Sequence, residues 1–221
     1  MLHFNSSKRL SLDIDIILPQ EIENFEALLD VVAENQGFIR KELQQRTTQS
    51  KIKKEHYKFF FTPLHKTNKE EEYVLLDVLY EQINYNHLLS MPIQSDFIPM
   101  AGTPLFVNIP SLDDILGDKL TAFAPNTTGI PYYKHDDSMS MEIIKQLYDI
   151  GNLADAVTDM ETVKSTFQNF AQTELAYRNT EQTPDDVLND IYQTALCIVS
   201  RGTDGNGNFD ELQKVFSELS I

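Results

Sequence analysis

Period-two hydrophobic patterning stops at Pro110, and that switch limits the possible folds more than any other feature of this chain. Ser11 to Leu18 alternates as Leu12, Asp13, Ile14, Asp15, Ile16 and is closed by Pro19, a strand signal. His56 to Leu64 and Glu72 to Glu81 are two further strand-like runs. Polar His65 to Glu71 between them predicts an antiparallel hairpin. A short strand is expected at Leu105 to Ile109. Between the first two strands, Glu21 to Gln36 reads as an amphipathic helix. Ile22, Phe25, Leu28, Leu29 and Val32 form its stripe, and Gly37 is its stop.

Beyond Pro110 the spacing is helical. Ser111 is placed as an N-cap with Asp113 and Asp114 in the first turn of a helix to about Phe123. Further helices are expected at Met139 to Val157, Met160 to Tyr177, Thr183 to Ser200 and Asn208 to Leu219. Pro184 occupies the first helical position of the third of these. The pattern predicts an α+β protein: a small mixed or antiparallel sheet with flanking helices over residues 1–110, then a helical domain over residues 111–221.

Charge narrows the function classes. The chain carries 34 acidic against 18 basic residues, a formal net charge of −16, opposite in sign to a protein that lives on the phosphate backbone. A nucleotide enzyme remains compatible, because metal ions supply positive charge locally. Arg40, Lys41, Arg46, Lys51, Lys53, Lys54 and Lys58 cluster in the first half, which allows one basic face for a polyanion such as an RNA end. The single cysteine, Cys197, excludes an intramolecular disulfide and reads as a small buried hydrophobe on a helix. No apolar run is long enough to span a bilayer, and Met1 to Leu10 lacks a secretory core, so a cytoplasmic location is expected.

The chemistry-bearing feature is the pair Asp13 and Asp15. At i and i+2 on a strand they point to one face, about 7 Å apart along the chain, while Leu12, Ile14 and Ile16 fill the other. Acids on so apolar a strand need water, a partner or a metal. Mg²⁺ prefers carboxylate oxygens together with substrate phosphates. An exposed strand face with both acids in water gives the same pattern. Asp77 is a third acid, alone in the apolar run Val74 to Tyr80. Either a metal site shared with Asp13 and Asp15 or a lysine such as Lys58 would partner it.

Lys8-Arg9-Leu10-Ser11-Leu12-Asp13-Ile14-Asp15 resembles the Arg-x-Ser-x-Asp-x-Asp segment of AbiEii/AbiGii-type nucleotidyltransferases. Three segments follow in matching order. Leu76 to Tyr80 resembles the strand that brings the third acid, Asp114 to Ala122 the Lys-x-x-Ala helix, and Lys145 to Ile150 an Asp-x-x-Asp-Leu motif. The resemblance spans about residues 8 to 155 and implies a polymerase-β-like nucleotidyltransferase fold. It implies that Asp13, Asp15 and Asp77 bind Mg²⁺, with Asp77 also orienting or deprotonating an acceptor hydroxyl. Ser11, Lys119 and Lys145 would bind the nucleotide, and Asp149 would join the catalytic set. The implied reaction transfers a nucleotidyl group from an NTP to an RNA (tRNA-like) or protein acceptor, as the toxin of a toxin–antitoxin system with a cognate antitoxin.

The chain departs from the family pattern twice. No glycine precedes Gly37, whereas the family carries a glycine turn before the Asp-x-Asp strand, and Gln146 stands where the first acid of Asp-x-x-Asp is expected. These departures favour the alternative, a degenerate nucleotidyltransferase-like protein that binds nucleotide or partner without turnover. Other candidates fail. Asp204 to Asn208 opens like a calcium loop, but Phe209 and Val215 occupy positions that such a loop reserves for glycine and glutamate, so a turn is expected. The histidines, His56 among them, show no ligand spacing.

Overall fold

The computed structural model describes residues 3, 13–44, 53–65, 70–94, 96 and 102–219. Contacts divide the chain into two compact units that part between Ile83 and Asn84. The sequence boundary near Pro110 marks where strand patterning ends. The compact boundary falls earlier, because the strand pair preceding Pro110 belongs to the second unit.

The first unit is a four-stranded mixed sheet with one helix. β1 (Asp13–Leu18), β2 (Arg40–Gln44), β3 (Lys53–Phe61) and β4 (Glu72–Tyr80) lie in the order β1-β4-β3-β2. β1 runs parallel to β4, whereas β3 is antiparallel to both neighbours, as the polar 65–71 connection predicts for β3 and β4. β2 was not expected from the sequence. Its residues, Arg40-Lys41-Glu42-Leu43-Gln44, are mostly charged, as suits a strand at the sheet edge, and so lack an apolar alternation.

Helix α1 (Phe25–Asn35) covers one face of this sheet. It starts four residues later than its apolar pattern suggests, after Asn24, which takes a left-handed conformation with φ 59°. Its buried stripe is also rotated from the expected one. Phe25, Leu29 and Ala33, at i, i+4 and i+8, meet Tyr57, Phe59 and Val78, while Leu28 and Val32 stay exposed. Gly37 ends this segment with φ +73°, a conformation that costs glycine nothing sterically. Ile16, Leu18, Leu76 and Tyr80 complete the core from the sheet side.

The second unit holds the antiparallel pair β5 (Leu88–Pro92) and β6 (Phe106–Pro110), then helix α2 (Leu112–Ala122). A two-residue hairpin follows, β7 (Tyr133–Lys134) and β8 (Asp137–Ser138), so strand structure does not stop at Pro110 as the patterning suggests. Helices α3 (Ser140–Ala154), α4 (Met160–Arg178), α5 (Pro184–Val199) and α6 (Phe209–Leu219) agree with the four expected helices to within a few residues. The caps explain that agreement. Ser111 accepts from Asp114 N, and Thr183 and Asp186 form a reciprocal capping box ahead of Pro184. Asn208 accepts from Glu211 N, so the Asp204 to Asn208 stretch is the turn into α6.

Helices α2 and α4 approach closely at Gly117. A Cβ there would lie 2.6 Å from the carbonyl oxygen of Val163 and 2.8 Å from Thr166 Cβ. Phe123, Ile143, Ile144, Leu212 and Val215 form one core of this unit, and Ala124, Phe167, Ala171, Leu175 and Val187 another. Cys197 is buried in α5, as expected of a small hydrophobe.

Candidate functional site

Strand register places the three acids of the first unit. Asp15 on β1 lies directly opposite Asp77 on β4, and Asp13 is one step along β1 on the same face, opposite Leu75. This is the face that α1 does not cover, since Ile16, Leu76 and Val78 point to the helix. Adjacent strands stand about 4.8 Å apart, so Asp15 and Asp77 are lateral neighbours. Asp13 and Asp15 are exposed, and Asp77 is about one-third exposed.

The register continues into β3, where His56 is opposite Asp77. Its Nδ1 is 2.7 Å from Asp77 Oδ1, and the histidine is buried at 8% exposure. A carboxylate only accepts, so the ring N–H at Nδ1 donates. The spacing of the histidines gives no hint of His56. As partner to Asp77 the sequence offers either a metal shared with Asp13 and Asp15 or a lysine such as Lys58. The structure rules out the lysine: Lys58 is opposite Leu75, and its ammonium lies over the Tyr73 ring, 4.1 Å from the centroid. The signal that would have found His56 is pairing register rather than spacing along the chain. Once β3 and β4 pair antiparallel in this register, His56 and Asp77 are cross-strand partners.

The expected basic face is also divided. Arg40 and Lys58 fall on the side of His56 by alternation, but Arg40 is paired with Glu42 and Glu71 and lies over the Phe60 ring. Lys41 turns to the helix side, where it meets Glu26 and Asp30 of α1 at 3.2 and 2.8 Å. Lys53 pairs with Glu21 and Glu55. Strand periodicity thus sends neighbouring cations to opposite faces, and nearby acids neutralise Arg40, Lys41 and Lys53. Ser11, Arg46 and Lys51 lie outside the described residues.

The second unit holds the other predicted residues. Lys119 on α2 reaches α3, with Nζ 3.3 Å from Asp149 Oδ2 and 3.2 Å from Gln146 Oε1. Gln146 and Asp149 are one turn apart, so both present an oxygen to the same ammonium. The amide at the position of the expected acid therefore keeps the hydrogen bond and drops the charge. Lys145 instead turns to Glu142 within its own helix, at 3.4 Å.

Other acids of this unit are structural. Asp114 is fully buried and accepts from the backbone N–H groups of Asn86 and His87 and from the Ser111 and Thr166 hydroxyls, the last at 2.6 Å. Burial pushes its pKa up, but these donors outweigh burial and hold it below the ordinary 3.8. Asp113 accepts twice from Thr158, and Asp190 ties Asn126 and Thr127 to α5.

Among the described residues, no group of three or more His, Cys, Asp and Glu side chains is arranged to hold a metal ion by itself. Asp13 and Asp15 are nonetheless hard oxygen donors on one rigid face, the donor type Mg²⁺ takes when substrate phosphates supply the rest of its shell. On donor chemistry the residues fit that ion. Among the described residues, no helix is long and apolar enough to cross a membrane.

The sheet unit thus carries laterally paired carboxylates, and the helical unit carries a lysine–aspartate pair. The family model described as nucleotidyl transferase AbiEii toxin, type IV toxin–antitoxin system, matches residues 1–213. The chain belongs to that family, whose membership implies a nucleotide substrate and a cognate antitoxin. Neither the curated proteins nor the solved structures searched give a match.

Proposed function

We propose that this toxin-family nucleotidyltransferase moves a nucleotidyl group from an NTP to a hydroxyl of RNA or protein in a Mg²⁺-dependent reaction, in the cytoplasm. The observation that carries the reading is the register Asp15↔Asp77, with Asp13 on the same exposed sheet face. Asp13 and Asp15 would hold Mg²⁺, which when bound neutralises the triphosphate and polarises the α-phosphoryl group. Asp77 accepts from His56 through one oxygen and has the other for the same ion or for the acceptor hydroxyl. Lys119 supplies a compact positive charge for phosphate oxygens, poised between a carboxylate and a neutral amide. Ser11 and Lys145 are secondary nucleotide contacts in this assignment.

Gln146 favours a second reading, in which the chain binds nucleotide or antitoxin without turnover. One experiment separates the two. The chain and an Asp13→Asn/Asp15→Asn variant are incubated with each α-labelled NTP, Mg²⁺, and total RNA or total protein. Label on one acceptor class, lost in the variant, supports transfer and identifies the acceptor. Tight Mg²⁺–NTP binding with no labelled product supports the non-transferring reading.

A further inference from the structure

Asp15 and Asp77 are like charges directly opposite each other, an arrangement that costs stability unless something draws the carboxylates apart or a cation joins them. Asp77 has such an anchor on its other side. His56, opposite it on β3, donates Nδ1–H to Oδ1 at 2.7 Å, and the imidazole is buried enough to be held in one orientation. The carboxylate is thereby fixed by one oxygen from the β3 side, and Oδ2 is the oxygen that this contact does not engage.

We propose that His56 is a positioning residue that orients the Asp77 carboxylate toward a divalent cation held by Asp13 and Asp15. This rests on the metal reading above and extends it to a residue outside that assignment. Groups that hydrogen-bond a ligating carboxylate fix its direction and basicity, and their loss weakens metal binding even though they touch no metal. A histidine that merely satisfied a buried acid would tolerate any replacement that keeps the strand pair folded. A positioning histidine requires its donor at the Nδ1 location.

The test uses Mn²⁺ as probe, read by the EPR signal of the free ion, on the whole chain and on two amide variants. Asparagine places its amide N–H near the Nδ1 position, whereas glutamine carries it about one bond further out, near Nε2. His56→Asn is expected to bind Mn²⁺ close to the wild-type level, and His56→Gln to bind it at least about tenfold more weakly. Equal, wild-type binding by both variants overturns the proposal, and so does an equal loss in both, which would mark a packing role.

A second measurement needs no variant. Substoichiometric Mn²⁺ added to the wild-type chain should broaden the His56 ring resonances before those of the other four histidines. Earlier broadening of another histidine overturns the proposal. Should the wild-type chain bind no Mn²⁺ while it binds its NTP, the metal reading itself falls. Should it bind Mn²⁺ without the His56 effects, only the positioning role falls.

Discussion

The two units treat their carboxylates in opposite ways. In the helical unit Asp113, Asp114 and Asp190 are buried, each receiving two or more donors that tie separate segments together. In the sheet unit Asp13 and Asp15 are exposed on a rigid strand, beside an Asp77 that one histidine steadies. A buried carboxylate surrounded by donors has no capacity left for a ligand, and its removal leaves those donors unsatisfied. An exposed pair on a strand costs little to remove, since no buried donor loses its acceptor. Acid content alone would have ranked these residues alike. Burial and donor count divide them into those that hold the fold and those available for chemistry.

The contrast breaks most sharply at the sheet. Asp13→Asn/Asp15→Asn should lower label transfer to background while leaving the thermal unfolding midpoint near wild type. Asp114→Ala should do the reverse. Emptying that donor-lined site should cost about 3 kcal/mol or more, read by urea unfolding of the helical unit. Gly117→Ala comes next, at roughly 1–3 kcal/mol, because α2 and α4 must separate to admit a Cβ that would sit 2.6 Å from the Val163 carbonyl oxygen. Gln146→Glu should have the smallest effect, a few-fold weaker NTP binding by titration, since a second carboxylate then neutralises a partly exposed Lys119.

Acid should separate the units as well. Asp114 is held below its ordinary 3.8, and Glu211, bonded by Lys214, Tyr133 and Ser138, falls from 4.5 to about 2. Groups with lowered folded pKa values bind fewer protons folded than unfolded. Their stabilisation is therefore present above pH 4.5 and is lost as pH falls through the folded values. Helical signal from the second unit should fade over that window, whereas Asp13→Asn/Asp15→Asn should leave this acid transition where it is.

Much of the helical unit was legible because its boundaries are written locally. Ser111, Asp159 and Thr183 cap their helices by contacts within three residues, and Pro184 marks a first turn. The sheet was legible only where alternation was strong. β1 and β4 have it, whereas the charged edge strand β2 does not. The acids were visible as an i, i+2 pair, but the pairing of Asp15 with Asp77 and of Asp77 with His56 depends on strand register between residues 62 and 21 positions apart, which no short window contains. The structural role of Asp114 was hidden for the same reason. Its donors include Asn86, 28 positions away, and Thr166, which the packing of α4 on α2 brings to it.

The most direct measurement is calorimetric titration of a non-hydrolysable NTP analogue, with and without Mg²⁺, into the wild-type chain and Asp13→Asn/Asp15→Asn. The account predicts binding that requires Mg²⁺ in the wild type and is absent from a variant that is equally stable. Equal Mg²⁺-dependent binding by both proteins would contradict it, because the exposed acids of β1 would then have no part in holding the metal and its nucleotide.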